Sequence, residues 1–244
     1  QAGVRYSITN PDAYIQSNMI GFYNILGACR HNPVEHLVYA SSSSVYGGNS
    51  KVPFAETDHT NNPTNLYAVT KKADELMAAC YSNLYNLTAV GLRFFSVYGP
   101  WGRADMAPML FAQAIMNNQP LQVFNSGNML RDFTYIDDIV DGIMLVVSKI
   151  SNSEESLHSI YNLGCSSPVL LSDFILELEM ALGRKAQKNL LPMQLADVYQ
   201  TFADTSAFER DFGYRPKTQL HEGIRKFADW FKAEGYSLIL NCKL

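Results

Sequence analysis

The sequence predicts an α/β protein with a parallel sheet, and three consecutive segments carry that prediction. Residues 36–40 (HLVYA) form a short, continuous apolar run, which is typical of a parallel strand covered on both faces. Residues 64–86 have the length and periodicity of a long amphipathic helix, and residues 88–95 (TAVGLRFF) form a second strand. Strand, helix and strand follow one another at the length of a parallel crossover unit.

The flanking segments extend this α/β pattern. Asn10 and Pro11 provide a cap and a first helical turn, so a helix is expected from Pro11 to His31. Residues 96–105 (SVYGPWGRAD) are expected to form a loop at the carboxyl end of the second strand, the sheet edge where α/β proteins bind ligands. Further helices are predicted at 106–118, 137–148, 172–182, 205–211 and 220–234. Further strands are predicted at 121–124, 131–135, 159–163 and 200–203.

Composition narrows the class of protein. The 244 residues suffice for one large or two small domains, and a net charge of −4 offers no basic surface for nucleic acid. No apolar run is long enough for a membrane span, and the N-terminus lacks the layout of a signal peptide. The four cysteines are far apart, which predicts neither a metal pair nor a disulfide framework. They are Cys29, Cys80, Cys165 and Cys242. A reducing cytoplasm is therefore the expected location, with no bound metal.

The residues that indicate chemistry lie between Leu37 and Lys71. Tyr67 and Lys71 are four positions apart near the start of the predicted helix, and hence on one helix face. Four serines, Ser41 to Ser44, follow the first strand. A free phenol has a pKa of about 10, and a neighbouring ammonium favours its ionised form. The arrangement therefore suits proton transfer, although the pair alone is more typical of a surface tyrosine and a solvated lysine.

Several motifs in the right order resemble the extended short-chain dehydrogenase/reductase family. They are SSSSVYG at 41–47, Y-x-x-x-K at 67–71, LRFFSVYGPWGR at 92–103, RDFTYIDDIVDG at 131–142 and YNLG at 161–164. Within that family the chain is most similar to the NAD-dependent nucleotide-sugar epimerases of the UDP-glucuronate 4-epimerase type. The resemblance covers essentially the whole chain.

The resemblance implies a doubly wound, Rossmann-type parallel sheet that lacks its first strands, in an N-terminally truncated member with no glycine-rich turn. Residues 1–104 would form the second half of the NAD-binding domain, joined by segments near 131–150 and 200–204. Residues 105–244 would form mainly a smaller α/β domain for the nucleotide sugar. It also implies a homodimer through the helices at 11–31 and 64–86.

The resemblance further assigns roles to individual residues. Tyr67, Lys71 and Ser42 would be catalytic: Tyr67 takes the proton of the sugar hydroxyl as hydride passes from C4 to NAD+, and the 4-keto sugar accepts hydride back on its other face. Cofactor contacts are expected from Tyr67, Lys71, Asn18 and Phe94. Substrate contacts are expected from Ser43, Ser44, Ser96, Arg103, Arg131, Asp197 and Arg5. Arg93 lies within a strand and is interpreted as structural. The family's usual Pro-Gly before the acid is Leu195-Ala196 here, a departure at the Asp197 motif.

One position indicates the type of reaction. Dehydratases and decarboxylases of this family tend to carry an acid directly before the Val-Tyr-Gly, where this chain has Ser44. Simple epimerisation is therefore expected, with UDP-glucuronate and UDP-galacturonate as the substrate pair. Four alternatives remain: a UDP-glucose/UDP-galactose 4-epimerase, a UDP-glucuronate decarboxylase, an inactive nucleotide-sugar-binding fragment, and a purely structural role as a helix-pair dimer.

Overall fold

The computed structural model describes residues 1–149, 157–193 and 198–237 and confirms the α/β class with parallel strands. Its helices are α1 (Val4–Thr9), α2 (Pro11–Tyr14), α3 (Gly21–His31), α4 (Leu66–Tyr85), α5 (Ala107–Met116), α6 (Ile136–Lys149), α7 (Leu171–Leu182), α8 (Ser206–Phe212) and α9 (Leu220–Trp230). Its strands are β1 (Leu37–Ser42), β2 (Ala89–Phe94), β3 (Ser96–Tyr98), β4 (Pro120–Phe124), β5 (Leu130–Arg131), β6 (Phe133–Tyr135), β7 (His158–Leu163), β8 (Val169–Leu170) and β9 (Gln187–Leu191).

The chain divides into two compact units. Unit 1 comprises residues 1–95, 141–163 and 203–215, and unit 2 comprises residues 96–140, 164–202 and 216–244. The domain boundary expected near residue 104 stays a prediction.

Unit 1 is built on a three-stranded parallel sheet in the order β1-β2-β7. Helix α4 is the crossover between β1 and β2, as the strand-helix-strand pattern predicted. The helix expected from Pro11 to His31 is a continuous helical path in which residues 15–20 form a π-helical turn between α2 and α3. Helix α1 was not expected from the sequence.

Unit 2 holds three two-stranded sheets and an apolar core. Strands β3 and β6 pair in parallel, as do β4 and β9, whereas β5 and β8 are antiparallel. The core includes Phe174 of α7 and Phe227 of α9, both completely buried. Among the described residues, no helix has both the length and the apolar character that a membrane crossing requires.

Several segments differ from the expectation. Residues 96–98, predicted as loop, form β3, because Tyr98 is buried and the segment pairs with β6. The predicted strand at 200–203 is wrong: Gln200 and Ala203 make isolated bridges, to Leu130 and Phe54 respectively. Strand β9 was missed because its sequence, QKNLL, is largely exposed and forms a strand only by pairing with β4.

Candidate active site

Helix α4 presents Tyr67 and Lys71 in its first two turns. Asn65 caps the helix, since its Oδ1 accepts a hydrogen bond from the Ala68 N–H at 2.9 Å. The cap fixes where the helix begins. Tyr67 is buried, and its ring meets Tyr14 edge-to-face with 6.0 Å between the ring centroids.

Lys71 ties this helix to strand β1. Its Nζ donates to the Ala40 carbonyl oxygen at 2.9 Å and to Asp74 Oδ2 at 3.2 Å. Ala40 lies two residues before Ser42, so the bond brings the Tyr67–Lys71 face of α4 to the end of β1 that carries the serines. Burial raises the pKa of the Asp74 carboxyl to about 6, although the Lys71 ammonium partly opposes that rise.

The four serines are not equivalent. Ser42, the last residue of β1, is buried, and its Oγ accepts a hydrogen bond from the Ser44 N–H at 3.2 Å. That bond caps a 3₁₀ turn over residues 43–46, on which Ser43 and Ser44 are partly exposed. Ser41 faces the interior, where its hydroxyl donates to Glu75 Oε1 at 2.6 Å.

A buried ion pair lies beneath the serines. Arg93 of β2 binds Glu75 of α4 through two parallel bonds, Nε to Oε1 at 2.8 Å and Nη2 to Oε2 at 2.9 Å. Both side chains are 3% exposed. Burial disfavours the charged carboxylate, but the Arg93 bonds outweigh it and hold the pKa of Glu75 below its usual value. These contacts agree with the structural interpretation of Arg93.

The ion pair continues into a polar chain across the sheet. Arg93 Nη1 donates to the Tyr46 hydroxyl at 2.9 Å, and that hydroxyl donates to Asn162 Oδ1 at 2.7 Å. Ser41, Arg93 and Asn162 occupy the same rung of β1, β2 and β7. Buried polar groups that are all partnered hold elements in one arrangement, so this chain fixes the three strand ends relative to α4.

The other predicted residues of unit 1 have different settings. Asn18, in the π-helical turn, is buried, and its Nδ2 donates to Thr70 Oγ1 of α4 at 3.0 Å. Phe94 is the last residue of β2 and is partly exposed, and Arg5 is exposed on α1. The structure therefore brings Asn18 to the helix of Tyr67 and Lys71.

Further predicted residues belong to unit 2. Ser96 begins β3, and its N–H donates to the Asp132 carbonyl oxygen at 3.0 Å. Arg103 forms an exposed ion pair with Asp105, with 2.5 Å between Nη2 and Oδ2. Arg131, on β5, donates from Nη1 to the Leu130 and Tyr199 carbonyl oxygens at 2.9 and 3.1 Å. Asp197 lies outside the described residues.

A parallel strand that ends in hydroxyls, next to a helix with a Tyr–Lys pair, is the arrangement that the sequence motifs predicted. The model of the NAD dependent epimerase/dehydratase family matches residues 1–164. Protein CapI of Staphylococcus aureus is 48% identical to this chain, over 95% of the chain and 73% of its own length. The chain belongs to the NAD-dependent epimerase/dehydratase family.

Two further relatives of this epimerase have more specific names. A probable UDP-glucuronate 4-epimerase of Rhizobium meliloti is 44% identical over 95% of the chain and 72% of its own length. The crystal structure of a UDP-glucuronic acid 4-epimerase from Bacillus cereus, in complex with UDP-glucuronic acid and NAD, superposes with a TM-score of 0.86. It is 31% identical and is matched over 95% of this chain and 73% of its own length. The resemblance to NAD-dependent nucleotide-sugar epimerases is thereby confirmed, with NAD as the cofactor.

The donor groups of unit 1 fit one part of that cofactor, the nicotinamide ribose. An ammonium carries three donor protons, and the bonds of Lys71 to Ala40 and Asp74 use two of them among the described residues. A third donor therefore remains for a ribose hydroxyl, with the Tyr67 phenol one helical turn away.

Sequence reasoning missed the residues beneath this epimerase site. Asp74 contacts Lys71, and Glu75 contacts Ser41. Tyr46 and Asn162 complete the polar chain. One signal was available, because Asp74 and Glu75 are three and four positions after Lys71, on the same helix face. Nothing in the sequence alone pairs Tyr46 with Asn162, which are 116 positions apart.

Proposed function

We propose that this epimerase inverts C4 of a UDP-sugar and that its substrate pair is UDP-glucuronate and UDP-galacturonate. The observation that carries the acid–base assignment is the bond from Lys71 Nζ to the Ala40 carbonyl oxygen. It joins the helix that bears Tyr67 to the strand that ends in Ser42.

In the forward direction Tyr67 accepts the proton of the C4 hydroxyl. The Lys71 ammonium stabilises the negative charge that the phenol oxygen carries before it takes the proton. Ser42 bridges the sugar hydroxyl and Tyr67 as a proton relay. In the return step the same groups give the proton back to the C4 oxygen. When bound, NAD+ supplies the acceptor, and afterwards the donor, of the C4 hydride.

The absence of an acid at position 44 supports epimerisation without elimination or decarboxylation. Elimination needs a base that removes the proton next to the ketone, and the enolate left by loss of CO2 needs a proton donor there. The residue before Val45 is instead Ser44, on a partly exposed 3₁₀ turn. Serine hydroxyls donate to a carboxylate without adding charge, which suits a uronate as well as a neutral sugar.

Substrate contacts are proposed from both units. In unit 1 they are Ser43, Ser44 and Arg5, and cofactor contacts besides Tyr67 and Lys71 are Asn18 and Phe94. In unit 2 they are Ser96, Arg103 and Arg131, together with Asp197. The arginines supply charge-assisted bonds to the diphosphate or the sugar carboxylate.

A substrate comparison tests the proposal. Purified protein with NAD+ is incubated separately with UDP-glucuronate and UDP-glucose, and the products are separated by anion exchange and identified by proton NMR. UDP-galacturonate is the expected product, with little turnover of UDP-glucose. Turnover of UDP-glucose alone would assign a neutral-hexose epimerase, and a UDP-pentose product would assign a decarboxylase.

The Tyr67→Phe variant tests the mechanism. Loss of the phenol oxygen removes the base, and general acid–base groups contribute about 10²–10⁴-fold, so kcat is expected to fall at least about 100-fold. Tyr23→Phe is the matched control, since Tyr23 is 55% exposed on α3. Full activity of Tyr67→Phe would disprove the catalytic assignment. UDP binding by calorimetry without any turnover of the wild type would identify a binding module instead.

A further inference from the structure

Asp74 is a buried carboxyl group that the proposed mechanism does not use. It is 1% exposed, and one of its oxygens, Oδ2, lies 3.2 Å from Lys71 Nζ. The other oxygen, Oδ1, is buried without a hydrogen-bond partner among the described residues. Burying a carboxylate that is only half satisfied is unfavourable, and the Lys71 ammonium is the charged donor that it contacts.

The position of Asp74 couples it to the proposed base. Lys71 lies between Tyr67 and Asp74 on one face of α4, one turn from each. In the proposed mechanism the ammonium acts on the phenol, and the carboxylate acts on the ammonium. An anion behind the ammonium both restrains the flexible lysine and offsets part of its charge.

We propose that Asp74 is a positioning residue for Lys71: it holds the ammonium against the end of β1 and limits the positive charge that Lys71 presents to Tyr67. The inference deepens the proposed function, because it takes Tyr67 as the base. With Asp74 charged, the phenolate of Tyr67 is stabilised less than Lys71 alone would stabilise it.

Other charged and titratable groups also surround Asp74. Glu75 lies beside it on α4, the Tyr39 phenol approaches from β1, and the Gln1 amino group lies nearby. Two of these are engaged elsewhere. Glu75 is bound by Arg93 and Lys72, and the Tyr39 hydroxyl contacts His158 Nε2 of β7 at 2.8 Å. Lys71 is the cation that Asp74 contacts on its own helix.

An NMR titration that follows the lysine signals tests the contact between Lys71 and Asp74 and does not require an active enzyme. The protein is labelled with [ε-¹³C]lysine, and the Lys71 signal is assigned with Lys71→Arg. The pKa of Asp74 is about 6, so the Lys71 signal should shift as the pH passes that value. Lys72 is the internal reference, because its partner Glu75 has a lowered pKa and remains ionised there. Absence of a step at Lys71 between pH 5 and 7.5 in wild-type protein would overturn the proposal.

The Asp74→Asn variant tests the effect on the base. Asparagine keeps the shape and an oxygen for Lys71 but removes the charge. The acidic limb of the pH–rate profile is expected to move down by about one pH unit, with KM for the UDP-sugar within twofold, since a nearby charge shifts a titration by this order. The two enzymes should converge below about pH 6, where Asp74 of the wild type is neutral. Asp12→Asn, an exposed site on α2, is the control and should change neither measurement.

The outcomes separate this inference from the proposed function. Superposable pH–rate profiles for wild type and Asp74→Asn would reject the role of Asp74 and leave Tyr67 as the base. A wild-type enzyme inactive on every UDP-sugar would contradict the proposed function, and the NMR step at Lys71 would still decide whether Asp74 holds the lysine. An Asp74→Asn protein that fails to fold leaves the wild-type titration as the deciding result.

Discussion

At the scale of single residues, the carboxyl group of Asp74, which is proposed to position Lys71, also affects the stability of the native protein. Folding raises its pKa from 3.8 to about 6, so the folded state favours the neutral carboxyl. Below the unfolded pKa of 3.8 the carboxyl is mostly neutral in both states, so the stability contributed by the neutral form is present there and is lost as the pH rises through about 6. Asp74 therefore destabilises the native protein at neutral pH.

Because the charged form of Asp74 destabilises the native protein, the effect of Asp74→Asn can be predicted. The asparagine side chain resembles the neutral carboxyl at every pH. We expect the variant to exceed the wild type in free energy of unfolding by about 3 kcal/mol at pH 7.5, since each unit of the rise in pKa from 3.8 to about 6 corresponds to about 1.4 kcal/mol, and to match it near pH 3. Urea denaturation at the two pH values measures the difference. A variant that is less stable than the wild type at pH 7.5 would show that the bond to Lys71 outweighs the burial of the charge.

The residue scale also shows what the sequence can predict of the site. Tyr67, Lys71 and the serine cluster were predicted because their signals are local: a spacing of four on a helix, and serines directly after an apolar strand. The family resemblance then singled out Ser42 within that cluster. The polar chain of hydrogen bonds from Glu75 through Arg93 and Tyr46 to Asn162 was not predicted. Its members come from four separate elements, and only strand register aligns Ser41, Arg93 and Asn162. Register is a tertiary property that no short window of sequence contains.

At the scale of elements, the centre of the unit 1 sheet depends on Gly91 of β2. The missing side chain leaves room for Tyr39, from the neighbouring β1, to cross over β2 and reach His158 of β7. A Cβ at Gly91 would lie 2.6 Å from the Tyr39 hydroxyl oxygen and 2.7 Å from Ile160 Cδ1. The burial of Tyr39 raises the pKa of its phenol, which stays neutral and bonds to the histidine.

We therefore expect Gly91→Ala to destabilise the protein by about 1–3 kcal/mol, the usual cost of overpacking a core. Gly27→Ala is the matched control, because a Cβ there meets no atom within 4 Å on helix α3. The control should be neutral or stabilising by up to about 1 kcal/mol, since alanine favours helix. Thermal unfolding of both variants gives the comparison. Equal melting temperatures would mean that Tyr39 moves away from the added methyl group without loss of stability.

Elements were predicted most reliably where the local sequence carries a clear apolar pattern. Strands β1 and β2 and helix α4 agree with the sequence pattern to within two residues at each end. Strand β9 has exposed, polar positions. The backbone pairing of Gln200 and Ala203 consists of isolated bridges to distant segments. Such segments adopt their structure from partners elsewhere in the chain, so their own composition carries little information.

At the scale of the whole molecule, helices α3 and α4 carry apolar side chains that the described chain leaves exposed. Val69, Leu76 and Leu84 follow one another at spacings of seven and eight, which places them on one face of α4. Leu76 is 61% exposed and Leu84 is 66% exposed, and Tyr23 on α3 is 55% exposed. Removing such surface from water contributes about 25 cal/mol per Å², which favours association through this face.

The homodimer expected through residues 11–31 and 64–86 is thus a prediction with a defined test. Size-exclusion chromatography with light scattering should give about twice the chain mass of 27.3 kDa for the wild type. The double variant Leu76→Glu/Leu84→Glu should give the monomer mass, because burying two carboxylates costs more than the leucines contributed. Leu190→Glu is the control: Leu190 is 57% exposed on β9, away from these helices in sequence, and its substitution should leave the dimer intact. If all three proteins elute at the monomer mass, the exposed face of α4 does not hold two copies together, and the expected dimer is wrong.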